Sequence, residues 1–216
     1  MPRAFVFDAY GTLFDVHSAI AKHRTAAGPE ADRLSEIWRG KQLEYTWTLT
    51  LAGQYVDFWT LTEWALDFAL ARVPSVDKQL KAKLLDAYFV LDSYADARAA
   101  LGALKTRGER TAILSNGSPR MLAAAVEAGG LTDHLDAVLS VDAIRIYKPR
   151  PEVYAMVTNT FPIAAKDVVF VSSNRWDVMG AVSFGFGAVW VNRGGMPDEY
   201  PDKRPLRVVA GLAELA

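Results

Sequence analysis

The sequence predicts an α/β fold: a doubly wound parallel sheet, with an all-helical segment inserted as a cap after the first strand. Three observations predict it. Short runs rich in Val, Ile, Leu or Phe occur at 3–8, 109–115, 136–141, 167–172 and 187–192, each followed by a turn or loop. Most of those turns lead into helical periodicity, and apolar strands alternating with helices indicate a parallel sheet covered on both faces. Residues 16–90 differ: they carry helical periodicity almost throughout and no convincing strand.

The first strand closes with Phe5-Val6-Phe7-Asp8, and Gly11 turns the chain at once. Asp8 is therefore expected at the carboxyl end of a buried strand, where open α/β sheets keep their chemistry. Gly28-Pro29, Gly53 and Pro74 divide the inserted segment into about four helices. Its aromatics are Trp38, Tyr45, Trp47, Tyr55, Phe58, Trp59, Trp64, Phe68, Tyr88 and Phe89. Most should form the core of the cap, and a few should face the sheet and wall a dry cavity. Later helices are expected at roughly 93–107, 119–129, 151–160 and 175–185. The resulting division is a Rossmann-like core domain of residues 1–15 plus 91–216 and a helical cap domain of residues 16–90.

Composition narrows the function classes. The chain has 216 residues, about half of them apolar, which suits one globular core with an insertion. A net charge of −1 offers no basic field for nucleic acid. The absence of cysteine excludes disulfides, thiolate metal sites and cysteine nucleophiles, and it fits a reducing cytoplasm. No signal peptide is expected, because Met1-Pro2-Arg3 leads directly into the first strand, and no stretch is apolar enough to span a bilayer. The three histidines, His17, His23 and His134, have no metal-ligand spacing, and neither a G-x-S-x-G elbow nor a Walker loop is present.

Right-handed crossovers bring the carboxyl ends of parallel strands to one edge, so residues distant in sequence converge there. Those ends carry Asp8, Ser115-Asn116-Gly117, Lys148 before Pro149, and Ser172-Ser173-Asn174 with Asp177 one helical turn later. Each has a plainer reading. Asp8 could cap a turn, Lys148 could be a solvated loop lysine, and one of Ser172, Ser173 and Asn174 is expected to cap the following helix. Asp177 suits a helix first turn electrostatically, and most helix arginines like Arg39 are solvated. Their convergence is the stronger signal.

Asp8-x-Tyr10-Gly11-Thr12-Leu13, Leu114-Ser115-Asn116, Lys148-Pro149 and Ser172-Ser173-Asn174-Arg175-Trp176-Asp177 resemble, in order and spacing, the haloacid dehalogenase superfamily over nearly the whole chain. Within it the chain is similar to the L-2-haloacid dehalogenase (type II) branch. Tyr10 stands where phosphatases of the superfamily carry a second acid, and Ser-Ser-Asn-x-Trp-Asp is typical of the dehalogenase branch. The resemblance implies hydrolysis of short L-2-halo carboxylic acids to D-2-hydroxy acids through an aspartyl ester. It implies Asp8 as nucleophile, with Thr12, Ser172 and Lys148 positioning its carboxylate. Arg39, Asn116 and Trp176 would receive the halide, and Ser115 would bind the substrate carboxylate with backbone amides near Ala9 and Tyr10. Asn174 and Asp177 would orient or activate water, with either Asp177 or Lys148 taking its proton. Tyr10 and Tyr154 would line or support the site. Ala9 departs from the larger aliphatic residue common in the branch, which bears on pocket width. The resemblance further implies no metal, no cofactor and a homodimer. The competing reading is a magnesium-dependent phosphatase of the same superfamily.

Overall fold

The computed structural model describes residues 3–215. Met1, Pro2 and Ala216 lie outside the described residues, so the expectation about a signal peptide falls partly outside them. The strands are β1 (Ala4–Phe7), β2 (Arg110–Ser115), β3 (Ala137–Ser140), β4 (Val168–Ser172), β5 (Gly187–Val191) and β6 (Arg207–Val209). They form one sheet in the order β3-β2-β1-β4-β5-β6, with every neighbouring pair parallel. All residues of β1 and β4 are buried, which is why both read as unbroken apolar runs. From β1 the chain winds outward through β2 and β3, then returns to β4 on the other side of β1. That reversal opens a crevice at the carboxyl ends of β1 and β4.

The segment after β1 forms α1 (Ser18–Ala21), α2 (Arg24–Ala27), α3 (Ala31–Leu51), α4 (Phe58–Arg72) and α5 (Lys81–Phe89). The stretch read as one first helix is two single turns, because His23 leaves helical geometry at φ −118°, ψ 17°. In α3, Leu34, Trp38, Gln42 and Thr46 recur every four residues and are buried. They pack against Phe58, Leu61, Thr62, Ala65 and Leu66 of α4. The neighbouring stripe of α3 carries Arg39, Leu43 and Trp47, one residue further round the helix. Asp57 caps α4, accepting hydrogen bonds from Trp59 N and Thr60 N.

The core helices are α6 (Ala97–Thr106), α7 (Pro119–Ala128), α8 (Pro151–Thr160) and α9 (Arg175–Phe184). Proline at the first position of α7 and α8 starts each helix without losing an intrahelical bond. Helix α6 begins later than expected because the preceding residues are committed elsewhere. Asp15 N donates to Asp92 O, Tyr94 N donates to Leu13 O, and Phe14 bridges Ser93. The two crossings between sheet and helical segment therefore run side by side. Strand β6 escaped the sequence reading: it is three residues long at a sheet edge, with Arg207 and Val208 exposed, so no apolar run marks it.

Replacing Asp57 with Ala removes the cap of α4 and is expected to lower stability by about 1 kcal/mol. Chemical denaturation midpoints compared with the parent protein measure this.

Candidate active site

Asp8 follows the last residue of β1, and its N–H still donates to Val171 O at 2.9 Å, so strand pairing carries the backbone to the crevice. The chain then turns tightly. Gly11 adopts φ +94°, and the N–H groups of Thr12, Leu13 and Phe14 all donate to Ala9 O. A side chain at φ +94° would be strained, which accounts for glycine there. The turn aims the Asp8 side chain out of the sheet edge.

Four elements converge on that carboxylate. Lys148 Nζ donates to Asp8 Oδ1 at 3.0 Å and to Asp177 Oδ2 at 2.7 Å. Asn174 Nδ2 donates to Asp8 Oδ2 at 2.7 Å, with the Thr12 and Ser172 hydroxyls at 3.3 and 3.4 Å. Tyr154 Oη donates to Asp177 Oδ1 at 2.7 Å. The Lys148 and Asp177 side chains are wholly buried and that of Asp8 is 8% exposed. Burial opposes the charge on Lys148, but the two carboxylates overcome it and raise its pKa above the ordinary lysine value. Burial pushes Asp177 up to about 6, with Asp8 adding to the rise and Lys148 and Tyr154 opposing it. The Tyr154 phenol is held well above its usual range by burial, so it remains a donor.

The backbone of Lys148 is also tied to the sheet edge, its N–H donating to Asn116 Oδ1 at 3.1 Å. Asn116 follows β2 directly. Ser115 is buried, and its hydroxyl oxygen accepts from Gly117 N at 3.0 Å. On the cap side Arg39 Nη2 donates to Tyr10 O at 3.2 Å. The Tyr10 ring stacks on Tyr88 at 5.9 Å and touches Phe58. Trp176 meets Trp47 edge-on at 5.5 Å. Asp8, Tyr10, Arg39, Leu43, Phe58 and Ser115, with Asn116, Asn174 and Trp176, enclose a space of about 10 Å³. That is room for a water and little more. A larger cavity of about 420 Å³ lies beyond Asn174 and Trp176 and touches none of Asp8, Lys148 and Asp177.

Two expectations need correction. Asn174 occupies the N-cap of α9 but makes no side-chain capping bond, because its Nδ2 donates to Asp8 and Tyr10 O and so turns the side chain toward the carboxylate, not toward the helix N–H groups. Ser172 Oγ instead accepts from Asn174 N. Ala9 is fully buried and does not reach the enclosed space, and its carbonyl closes the turn. Leu43 of the pocket wall has no role in the sequence reading, whereas Phe58 is one of the cap aromatics of which a few are expected to wall a cavity. Leu43 lies one helical turn from Arg39, and that spacing was the available signal. The buried chain Tyr88–Gln42–Thr62, with bonds of 3.2 and 2.9 Å, gave no signal, since its members are ordinary helix residues until packed. Among the described residues, no three His, Cys, Asp or Glu side chains gather as metal ligands.

Replacing Lys148 with Met leaves Asp8 and Asp177 facing each other without a cation. The expected loss is about 3–5 kcal/mol at pH 8. It should shrink as the pH falls, because without Lys148 the buried Asp177 carboxyl takes up a proton at a higher pH than in the parent and the repulsion disappears. Denaturation of both proteins at pH 8 and pH 5 measures the difference.

Against this geometry, comparison with known proteins is direct. A family model described as haloacid dehalogenase-like hydrolase matches residues 2–185. The (S)-2-haloacid dehalogenase 1 of Pseudomonas sp. (strain CBS-3) is 50% identical over 214 residues, covering 99% of this chain and 94% of the relative. A crystal structure of a dehalogenase superposes with a TM-score of 0.96 at 47% identity, covering 99% of this chain and 95% of that one. The L-2-haloacid dehalogenase from Xanthobacter autotrophicus with chloropropionic acid covalently bound superposes with a TM-score of 0.90 at 39% identity, covering 100% and 97%.

Proposed function

The chain belongs to the haloacid dehalogenase-like hydrolase family, and from that premise we propose the residue roles by which it hydrolyses short L-2-halo carboxylic acids to D-2-hydroxy acids. The observation that carries the reading is Asp8 bonded to Lys148 with Tyr10, not a second acid, two residues on. Halide leaves as an anion and needs no proton. An acid at position 10 would have nothing to protonate and would repel the substrate carboxylate. A phosphatase needs that acid for its alkoxide leaving group, so Tyr10 disfavours the phosphatase reading.

An Asp8 oxygen attacks C2 in line with the carbon–halogen bond, whose electron pair departs with the halide, and C2 inverts. Attack brings one anion toward another. Two unit charges 4 Å apart interact by roughly 4 kcal/mol at an effective dielectric near 20, so Lys148 and Arg39 are needed to offset the repulsion. Arg39, Asn116 and Trp176 receive the halide, and Ser115 with the backbone near Ala9 and Tyr10 receives the substrate carboxylate. Water then attacks the ester carbonyl of Asp8, not the substrate carbon. Asp177 takes its proton. Lys148, with its raised pKa, has no lone pair to offer, whereas Asp177 at about 6 is ionised at neutral pH. The carbonyl–oxygen bond to the substrate breaks, Asp177 passes the proton to the departing oxygen, and the hydroxy acid leaves with an oxygen that began on Asp8, whose own carboxyl gives up the remaining proton to solvent. Thr12, Ser172 and Asn174 hold the plane of the Asp8 carboxylate throughout, and Tyr154 holds Asp177. The covalent chloropropionate adduct of the Xanthobacter relative supports this route.

We also infer the division into a core of residues 1–15 plus 91–216 and a cap of residues 16–90. The paired crossings at 13–15 and 92–94 form its hinge. The space beside Asp8 is walled by Arg39, Leu43 and Phe58 of the cap and by Ser115, Asn116 and Asn174 of the core. A cytoplasmic homodimer fits a chain without cysteine that exposes Trp64 and Phe68 one turn apart on α4. No helix of the described residues is long and apolar enough to cross a membrane.

Halide release from L-2-chloropropionate, beside phosphate release from a simple phosphoester, tests the reading; release of phosphate alone would sink it. In a single turnover in oxygen-18 water the product hydroxyl should be unlabelled, whereas label there rules out the ester. Asp8→Asn should abolish turnover with the fold intact. Because the base must be deprotonated, kcat should fall toward acid pH, with its limb below the value of about 6 in the free protein, since the esterified Asp8 no longer raises Asp177. A flat profile from pH 8 to 4 would remove Asp177 from the role.

A further inference from the structure

We propose that Gly180 is a positioning residue, whose missing side chain is what lets Tyr154 reach Asp177. This rests on the role of Asp177 given above. Gly180 lies three residues after Asp177 in α9 and so shares its face. Glycine is among the poorest helix formers, and nothing in the backbone here calls for one. The reason is spatial. A Cβ on Gly180 would overlap the Tyr154 Oη and would lie 2.8 Å from both Tyr154 Cζ and Pro149 Cβ. The Tyr154 ring cannot retreat, being walled by Phe170, Phe184 and Phe186 at centroid separations of 5.7–6.2 Å. Pro149 is the residue after Lys148. One absent methyl therefore seats the donor to Asp177 Oδ1 and the neighbour of the donor to Oδ2.

The consequence concerns proton transfer. The groups facing Asp177 are Lys148, Asp8 and Tyr154, and Arg175 on the same helix is turned away to Asp198. Of the three, Lys148 and Tyr154 favour the ionised carboxylate. Moving Tyr154 off leaves burial and Asp8 less opposed, so Asp177 holds its proton to higher pH.

The test compares kcat against pH for the parent, Gly180→Ala, Tyr154→Phe and the double variant, with thermal melts of each. Tyr154→Phe should move the acid limb upward by about one pH unit, and Gly180→Ala should reproduce that move while melting cooperatively. The activity deficit should be large at pH 6 and largely recovered at pH 9. In the Tyr154→Phe background Gly180→Ala should leave the position of the acid limb where Tyr154→Phe put it, since the hydroxyl that sets it is already gone, even though the ring carbon and Pro149 still crowd the new methyl. A parent-like limb in Gly180→Ala, or an equal loss at every pH that multiplies with Tyr154→Phe, overturns the inference. If Tyr154→Phe itself leaves the limb in place, the base assignment fails. The inference is then decided by a crystal structure of Gly180→Ala, where an intact Tyr154–Asp177 hydrogen bond overturns it and a broken one supports it. If Gly180→Ala does not fold, recovery of a cooperative melt when Tyr154→Ala is combined with it, which removes both ring atoms in the clash, supports the same contact, and its absence counts against it.

Discussion

Lys148 Nζ sits between Asp8 at 3.0 Å and Asp177 at 2.7 Å, with no solvent contact of its own. Two carboxylates and one ammonium leave one net negative charge in a buried place. Such a charge is tolerable only when hydrogen bonds surround it. The remaining contacts meet that requirement. Asn174, Thr12 and Ser172 supply donors to Asp8 Oδ2, and Tyr154 supplies one to Asp177 Oδ1. The same donors fix the geometry. A carboxylate held on both oxygens cannot rotate freely, so the arrangement that keeps the charge buried also fixes the direction of the Asp8 side chain.

Sheet topology explains how so many donors reach one point. β1 is central, with β2 and β4 on either side, and the sheet reverses direction of growth there. Asp8 follows β1, Asn116 follows β2, and Ser172 ends β4 with Asn174 just beyond. Each strand delivers its terminal residues to the same edge because all run parallel. The cap adds what the sheet cannot supply. Arg39, Leu43 and Trp47 form one stripe of α3, set one residue round from the stripe that packs on α4. A single helix can thus bury one face in the cap and present another to the crevice.

The division of labour between the two carboxylates follows from their surroundings. Asp8 is met by a cation and three neutral donors, and it lines the enclosed space. Asp177 is deeper, and burial raises it to about 6. One acid faces the enclosed space as the proposed nucleophile, and the other, raised by burial, suits the proposed role of base. In the proposed mechanism that separation gives a chain without a second acid at position 10 one group for the displacement and another for the hydrolysis.

The alternation of apolar runs with helical periodicity was enough to read a parallel sheet, the helical insertion, and Asp8, Lys148 and Asp177 at one edge. These features are local, or follow from the fixed hand of parallel crossovers, so a linear text carries them. The edge strand β6 was not legible, because a strand covered on one side needs no apolar run. Nor was the side-chain choice of Asn174, which could cap a helix or bond Asp8. The buried chain through Tyr88, Gln42 and Thr62 and the space left by Gly180 were equally hidden. Those depend on which atoms lie within a few ångströms across elements far apart in the chain. Packing fixes such distances only after every element has been placed. The sequence alone therefore determined which groups could react, and the tertiary structure decided which of them hold each other in position to do so.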